Sequence, residues 1–546
     1  MRSKRTLVLP SIAAAALLAL SACTSSAEPA ATAGSDSDAR TEVRVALAEV
    51  TSNLDPALYN VPANYMLISG AAGYLVSYPF QKFPYTDLWD GDAEVFDADN
   101  FDPELATDWE LSDDGLSLTM HLREDAESPY GNTLTADDVV WTAQRNVALK
   151  TVGEFGMTVA NINKEDPVTA VDDHTVVWNL TEPTPLLLKV LAWSWFAPID
   201  SVEAQAHATA DDPWAQEWLK ENTAFYGPYT VTEFTPGQNG TMELNPGWFG
   251  DTPAIEKITF QSVPDAGNRQ QLVQRGEVDF VPDIPRSQLT ALQGKADVQV
   301  LLQPGIRFSY LQYRAGIEPL DNQLVREAIS YAIPYEQILE DVYYGTSLPA
   351  KTPSTWLPNA FPELSPYEYD LDKAQELLAE AGYGDGFTVS LTYSTANPGP
   401  ENEQVAILIA DSLKDIGVTV NLQKPSSEAA FTTSYNAGEF EMALAGLSPG
   451  APDAGYALFV MGNTAGFQNM GDFSNAEFDA LSDEMLSDMD PDSRAKLIEQ
   501  ATELYMQLVP ATPIANPLVG MVTNPDLTGI KLGPWNTPFW KYASFK

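Results

Sequence analysis

At 546 residues the chain is too long for one hydrophobic core and is expected to fold as several structural units. With 44% hydrophobic and 19% charged residues it has the make-up of a globular protein with ample apolar material to bury. Acidic residues outnumber basic ones 76 to 29, and the formal charge of -47 repels phosphate backbones and anionic headgroups, which argues against a nucleic-acid partner and reads as a solvated surface.

The chain opens on a targeting segment. Arg2, Lys4 and Arg5 form a positive start, and residues 7–20 are apolar but too short to span a bilayer. Leu20-Ser21-Ala22-Cys23 resembles a lipobox, which implies a signal peptide over residues 1–22 and diacylglycerol on Cys23. The mature chain would then be tethered to the outer face of the cytoplasmic membrane. Cys23 is the only cysteine, so no internal disulfide can form. After the lipidated cysteine the chain is small, polar and without periodicity, so residues 23–40 read as a flexible tether.

Val43, Val45 and Leu47 alternate as a first strand, followed by Leu54-Asp55-Pro56, by Tyr59, Asn60 and Val61, and by a helix including residues 65–76. Residues 103–145 carry three signals in one run. Leu116, Leu118, Met120 and Leu122 alternate with polar residues behind the turn Asp113-Asp114-Gly115, which predicts a hairpin over residues 109–122. Thr135 with Asp138 resembles a capping box, and Val139, Val140, Ala143 and Val147 recur at roughly helical spacing. A second hairpin turns at Asp172-Asp173, and Trp193-Ser194-Trp195-Phe196 is an aromatic cluster, either a stacking wall for a ligand or lobe interior. In the second half, Asp370 caps a helix that ends at Gly382, and strand and helix then alternate to about residue 422. Two further helices follow residue 473, residues 512–523 read as a returning strand, and residues 535–542 close the chain.

The run 103–145 also resembles a known family. Pro103, Leu105, Ala106 and Trp109, then Asp114-Gly115, Leu122-Arg123, and Gly131, Leu134, Thr135, Ala136, Asp138 and Val139 match the signature of bacterial extracellular solute-binding proteins of family 5, the peptide- and nickel-binding lipoproteins of ABC importers. Leu54-Asp55-Pro56, Gly227-Pro228-Tyr229, Asn245-Pro246-Gly247-Trp248, residues 308–332 and residues 372–383 are similar to further family segments. The resemblance implies an α/β, two-lobed periplasmic-binding-protein-like fold of type II, with an extra subdomain on the first lobe and a ligand cleft between the lobes. Lobe I would comprise residues 41–80, 222–305 and 520–546, its subdomain 81–221, and lobe II 306–519.

The function so implied is capture of a short peptide or other small solute and its delivery to the transmembrane subunits of an ABC permease, by a monomer held at the membrane by its lipid. An oligosaccharide is the alternative solute, a nickel chelate ranks lower, and a secreted hydrolase is the alternative of another class. Asn60 and Val61 fall where relatives touch ligand. Gly446, Leu447 and Ser448 fall on an edge strand whose free N–H and C=O groups receive an extended peptide. The acid that pairs with a peptide ammonium in relatives aligns with Gly450, so Asp453 is either its substitute or a turn residue before a helix. Arg314, where relatives carry Asn, reads as a ligand carboxylate partner or a surface ion pair, and Trp195 as the stacking candidate.

Other signals are decoys. Asp488, Asp490, Asp492 and Glu499 have EF-hand spacing, but Pro491 and Ser493 occupy positions that need flexibility and Gly. His121, His174 and His207 lack metal-ligand spacing, and no Gly-x-Ser-x-Gly or His-Glu-x-x-His occurs. No catalytic residue, metal or cofactor is expected.

Overall fold

The computed structural model describes residues 40–56, 62–85 (side chains from residue 66), 93–396, 399–534 and 536–546. The first strand, Glu42–Leu47, buries Val43, Val45, Ala46 and Leu47, so both of its faces are covered and it sits inside a sheet. It pairs in parallel with Lys257–Ser262 on one side and with Phe280–Pro282 on the other. The full sheet has seven strands, in the order Tyr229–Thr235, Asn239–Leu244, Lys257–Ser262, Glu42–Leu47, Phe280–Pro282, Val519–Thr523, Gln299–Gln303. A second, six-stranded sheet runs Ser347–Pro349, Ala511–Pro517, Phe308–Tyr313, Met442–Leu447, Phe387–Tyr393, Val418–Gln423.

The chain passes between the sheets twice, at residues 304–307 and at Leu518. Residues 512–523 are therefore not one strand. Ala511–Pro517 belongs to the second sheet and Val519–Thr523 to the first, and a mostly apolar stretch, interrupted by Asn516, conceals the change because both ends are buried. The two lobes also share core: Leu186 joins the second lobe's cluster, and Leu348, Trp356 and Leu357 join the cluster of the first lobe's subdomain.

The subdomain is built on the 103–145 run. Ala106–Leu111 and Ser117–Leu122 form the expected hairpin, continued by Thr175–Asn179 and Val168–Asp172 into a four-stranded antiparallel sheet. Leu118, Met120 and Leu122 are buried, whereas Leu116 lies in the turn and stays exposed. Helix Ala136–Leu149 follows Thr135, whose N–H donates to the Asp138 carboxylate at 2.8 Å. That carboxylate also accepts from the Ser201 N–H and O–H (2.8 and 2.7 Å) and from the Tyr226 O–H (3.0 Å), so the cap doubles as a buried junction. The helix expected to run to residue 76 ends at Ala71. Gly227 lies against this end so closely that a Cβ there would collide with the Ala71 and Ala72 carbonyls, which accounts for the glycine of Gly227-Pro228-Tyr229.

Candidate functional site

A cavity of about 880 Å³ lies between the lobes, beside the two crossings. The first lobe contributes the end of its first strand and the loop behind it, from Leu47 to Asn53, together with Asp283 and Arg286. The second lobe contributes Tyr343 and Gly399, Pro400 and Glu401, and the crossings contribute Arg307 and Leu518.

The loop is held from behind. Asn53 Oδ1 accepts the Asp55 N–H at 2.8 Å, and Thr51 Oγ1 donates to Asn53 O at 2.8 Å, so residues 51–55 form a tight polar turn. Asp55 then receives a bidentate pair from Arg145 (2.8 and 2.6 Å), with both side chains essentially inaccessible to solvent. Arg145 Nε donates to Trp214 O at 3.0 Å, which leaves the guanidinium well satisfied.

Charges of both signs face the cavity. Asp283 adopts a left-handed backbone (φ 55°) in Pro282-Asp283-Ile284-Pro285, an uncommon conformation for a side chain other than glycine. It reaches the accessible surface of the cavity, but the surrounding walls reduce its solvation and raise its pKa, an effect that Arg269 partly offsets. Glu49 is exposed on the same lobe. Arg307 stands on the first crossing, and burial lowers its pKa against the opposing influence of Tyr343 and Glu428; it remains a cation. Arg286 spans the lobes. It begins helix Arg286–Leu292, donates to Thr346 O (2.7 Å), Thr346 Oγ1 (2.8 Å) and Leu518 O (3.2 Å), and its Nε lies 3.4 Å from Glu401.

The predicted site residues fall in different places. Asn60, Val61 and Cys23 lie outside the described residues. Trp195 is buried against Trp193, ring centroids 4.7 Å apart, in the subdomain core, so the aromatic cluster is lobe interior rather than a cavity wall. Arg314 makes an ion pair with Asp472 at 3.2 Å on the surface, because the strand Phe308–Tyr313 enters the second lobe at residue 308 and carries residue 314 away from the crossing. Arg307, at the other end of that strand, lines the cavity instead.

Gly446 and Leu447 end the strand Met442–Leu447, and Leu447 pairs opposite Phe308, the neighbour of Arg307. On the other side the ladder to Phe387–Tyr393 stops at the Tyr393 and Leu444 pair, so residues 445–447 have no further partner strand there among the described residues. Ser448 follows, half-buried. Asp453 does not line the cavity. It caps helix Ala454–Gly462, accepting the Tyr456 N–H at 2.9 Å, and is buried against Arg494, which donates at 3.0 and 2.6 Å. Lys189 Nζ lies 3.4 Å from the same carboxylate. Among the described residues no cluster of His, Cys, Asp and Glu is arranged to hold a metal ion, and no helix is long and apolar enough to cross a membrane.

Comparison with known proteins gives consistent results. The profile described as "Bacterial extracellular solute-binding proteins, family 5 Middle" matches residues 100–469. Heme-binding protein A of Haemophilus influenzae is 30% identical over 462 residues, 80% of this chain and 82% of that protein. The dipeptide-binding protein of Escherichia coli is 27% identical over 456 residues, 79% of this chain and 84% of that protein. Among solved structures, HbpA2 from Haemophilus parasuis superposes with a TM-score of 0.80 at 25% identity, covering 92% of this chain and 100% of that one.

Proposed function

Because the chain belongs to the bacterial extracellular solute-binding proteins of family 5, we propose that its interlobe cavity captures a short peptide and presents it to the transmembrane subunits of an ABC importer. The observation that carries this reading is a cavity shared by both lobes and lined by Glu49 and Asp283 on one side and by Arg307 at the crossing. A zwitterionic solute satisfies both signs at once, and about 880 Å³ falls within the range of small-ligand sites. Gly446, Leu447 and Ser448 are not among the cavity's described lining, but beyond Leu444 the strand has no partner strand on the side away from Phe308–Tyr313 among the described residues, which leaves it main-chain groups for an extended peptide. Asn60 and Val61, in the loop segment that resembles the family's ligand-contacting stretch, are further candidate contacts for the peptide. Because ligand contacts come from both lobes, binding favours the closed arrangement. No bond is made or broken.

Cys23 carries the lipid that keeps this monomer at the outer face of the membrane. Two features weigh against the other solutes. Tyr343 is the only aromatic residue among those described in the lining, which gives a sugar ring little to stack on. Of the side chains that commonly hold haem iron, the described lining offers Met66, Met521 and Tyr343 but no histidine. The test is mass spectrometry of small molecules released from denatured protein, followed by calorimetry with the peptides found. A released sugar with no peptide would overturn the peptide assignment.

A further inference from the structure

The Lys189 and Asp453 contact joins the lobes, and the mechanism above does not use it. Lys189 sits on the short helix Leu187–Leu191 of the first lobe's subdomain, and Asp453 at the head of helix Ala454–Gly462 in the second lobe. Their side chains are 6% and 4% exposed, so the pair is shielded from bulk water and from salt. Beside them Phe155 of the subdomain meets Phe467 of the second lobe edge to face, with ring centroids 5.4 Å apart.

Each member of the pair also keeps a partner on its own lobe. Lys189 Nζ donates to Ala98 O at 2.8 Å and lies 2.9 Å from Asp99, both in the subdomain. Asp453 keeps the bidentate Arg494 and the Tyr456 N–H, both in the second lobe. Parting the lobes therefore strands neither charge, and the penalty for breaking an ordinary buried ion pair does not apply. The Asp55 and Arg145 pair differs in kind, since both members belong to the first lobe and stay together in any lobe arrangement.

We infer that Lys189 is a releasable cross-cleft latch: it supplies, from the protein itself, the cation that draws Asp453 and the second lobe shut, so that this contact closes without a cationic group from the solute. The latch rests on the two-lobed closure and not on the identity of the solute. The ligand-free protein then spends much of its time closed, and a solute completes closure rather than initiating it.

Distance measurement tests this in the absence of any ligand. With Cys23→Ser the full chain has no native thiol, so spin labels at Val202→Cys in the subdomain and Met489→Cys in the second lobe, both exposed, report lobe separation by pulsed electron resonance. The parent should show a dominant short-distance population. Lys189→Met should lower the closed-to-open ratio by about tenfold, the scale set by one charge-assisted contact, while Lys189→Arg retains the short distance. Circular dichroism establishes folding of each variant. Should Lys189→Met not fold, Lys189→Gln keeps a donor for the Ala98 carbonyl without the charge and is expected to open in the same way. A folded, neutral variant whose distances coincide with the parent's would overturn the latch, as would a parent dominated by the long separation. Peptide calorimetry is independent of both outcomes, so failure of the latch is distinguishable from failure of the peptide reading.

Discussion

Arg145→Met is the most informative single substitution, because it acts on the cavity from behind. The guanidinium makes two charged bonds to Asp55 at 2.8 and 2.6 Å and a third bond to Trp214 O at 3.0 Å, with the two side chains 1% and 0% exposed. Methionine fills much of the volume but leaves the Asp55 carboxylate buried without its main counter-charge. Removing one partner of a buried pair costs about 3 to 5 kcal/mol. The double variant Asp55→Asn, Arg145→Met removes the stranded charge as well and should recover about 1 to 3 kcal/mol of that loss, because neutral groups are cheaper to bury.

Urea unfolding followed by the fluorescence of the 12 tryptophans measures both values. A second readout is solute affinity: Thr51, Ser52 and Asn53 line the cavity, so loosening residue 55 should weaken binding even where the variant is fully folded. A loss below about 1 kcal/mol, or strict additivity in the double variant, would refute the reasoning.

Three further outcomes are expected. Burial alone would raise the Asp453 pKa, but Arg494 and then Lys189 outweigh it and hold the carboxyl far below the usual carboxylate range. The stability this contributes is complete above the unfolded-state pKa and is lost as pH falls through the depressed folded value. Asp453→Asn should therefore be less stable at neutral pH and show a flatter stability curve below about pH 4; acid unfolding curves parallel to the parent's would count against it. Arg307→Gln should weaken peptide binding by about 2 kcal/mol in calorimetry, whereas Arg314→Gln on the surface leaves it unchanged; equal effects would remove Arg307 from the site. Cys23→Ser should abolish incorporation of labelled fatty acid into the protein, and labelling that persists would exclude Cys23 as the lipid-bearing residue.

The architecture was largely legible in the sequence because its signals are local. The period of two through Leu118, Met120 and Leu122, the Thr135 and Asp138 cap, and the Asp370 cap, which accepts the Lys373 N–H at 2.9 Å, each depend on residues close together in the chain. The site was less legible because it assembles residues hundreds of positions apart. Glu49, Asp283, Arg307 and Glu401 share one cavity, and no short-range pattern links them. Arg314 drew attention as a departure from the family, yet the direction of its strand carries it away from the crossing. Arg307 stood in the adjoining Gly305-Ile306-Arg307, and its position just before a predicted crossing strand was the available signal. Asp453 presented itself as an acid before a helix, which fits a cap and a ligand contact equally well. Only the placement of Arg494 and Lys189 shows that its charge is already met.

The family signature in residues 103–145 contains no cavity residue, yet it is not remote from the ligand. Arg145, the last residue of that run though not one of the matched positions, reaches through the subdomain to Asp55 of Leu54-Asp55-Pro56, and Asp55 in turn anchors the turn whose other face, Thr51 to Asn53, lines the cavity. Two motifs separated by about ninety residues thus form one device: a cap and hairpin orient helix Ala136–Leu149, the helix presents a cation, and the cation fixes the loop behind the first strand. A rigid first-lobe wall follows from this. The second lobe meets the first through Arg286, which bonds Thr346 and faces Glu401, and through Lys189, which faces Asp453, whereas the Asp55 and Arg145 pair lies wholly within the first lobe. On the proposed reading, solute selectivity resides in Glu49, Asp283 and Arg307, which line the cavity and take no part in the Asp55 and Arg145 pair that holds the loop.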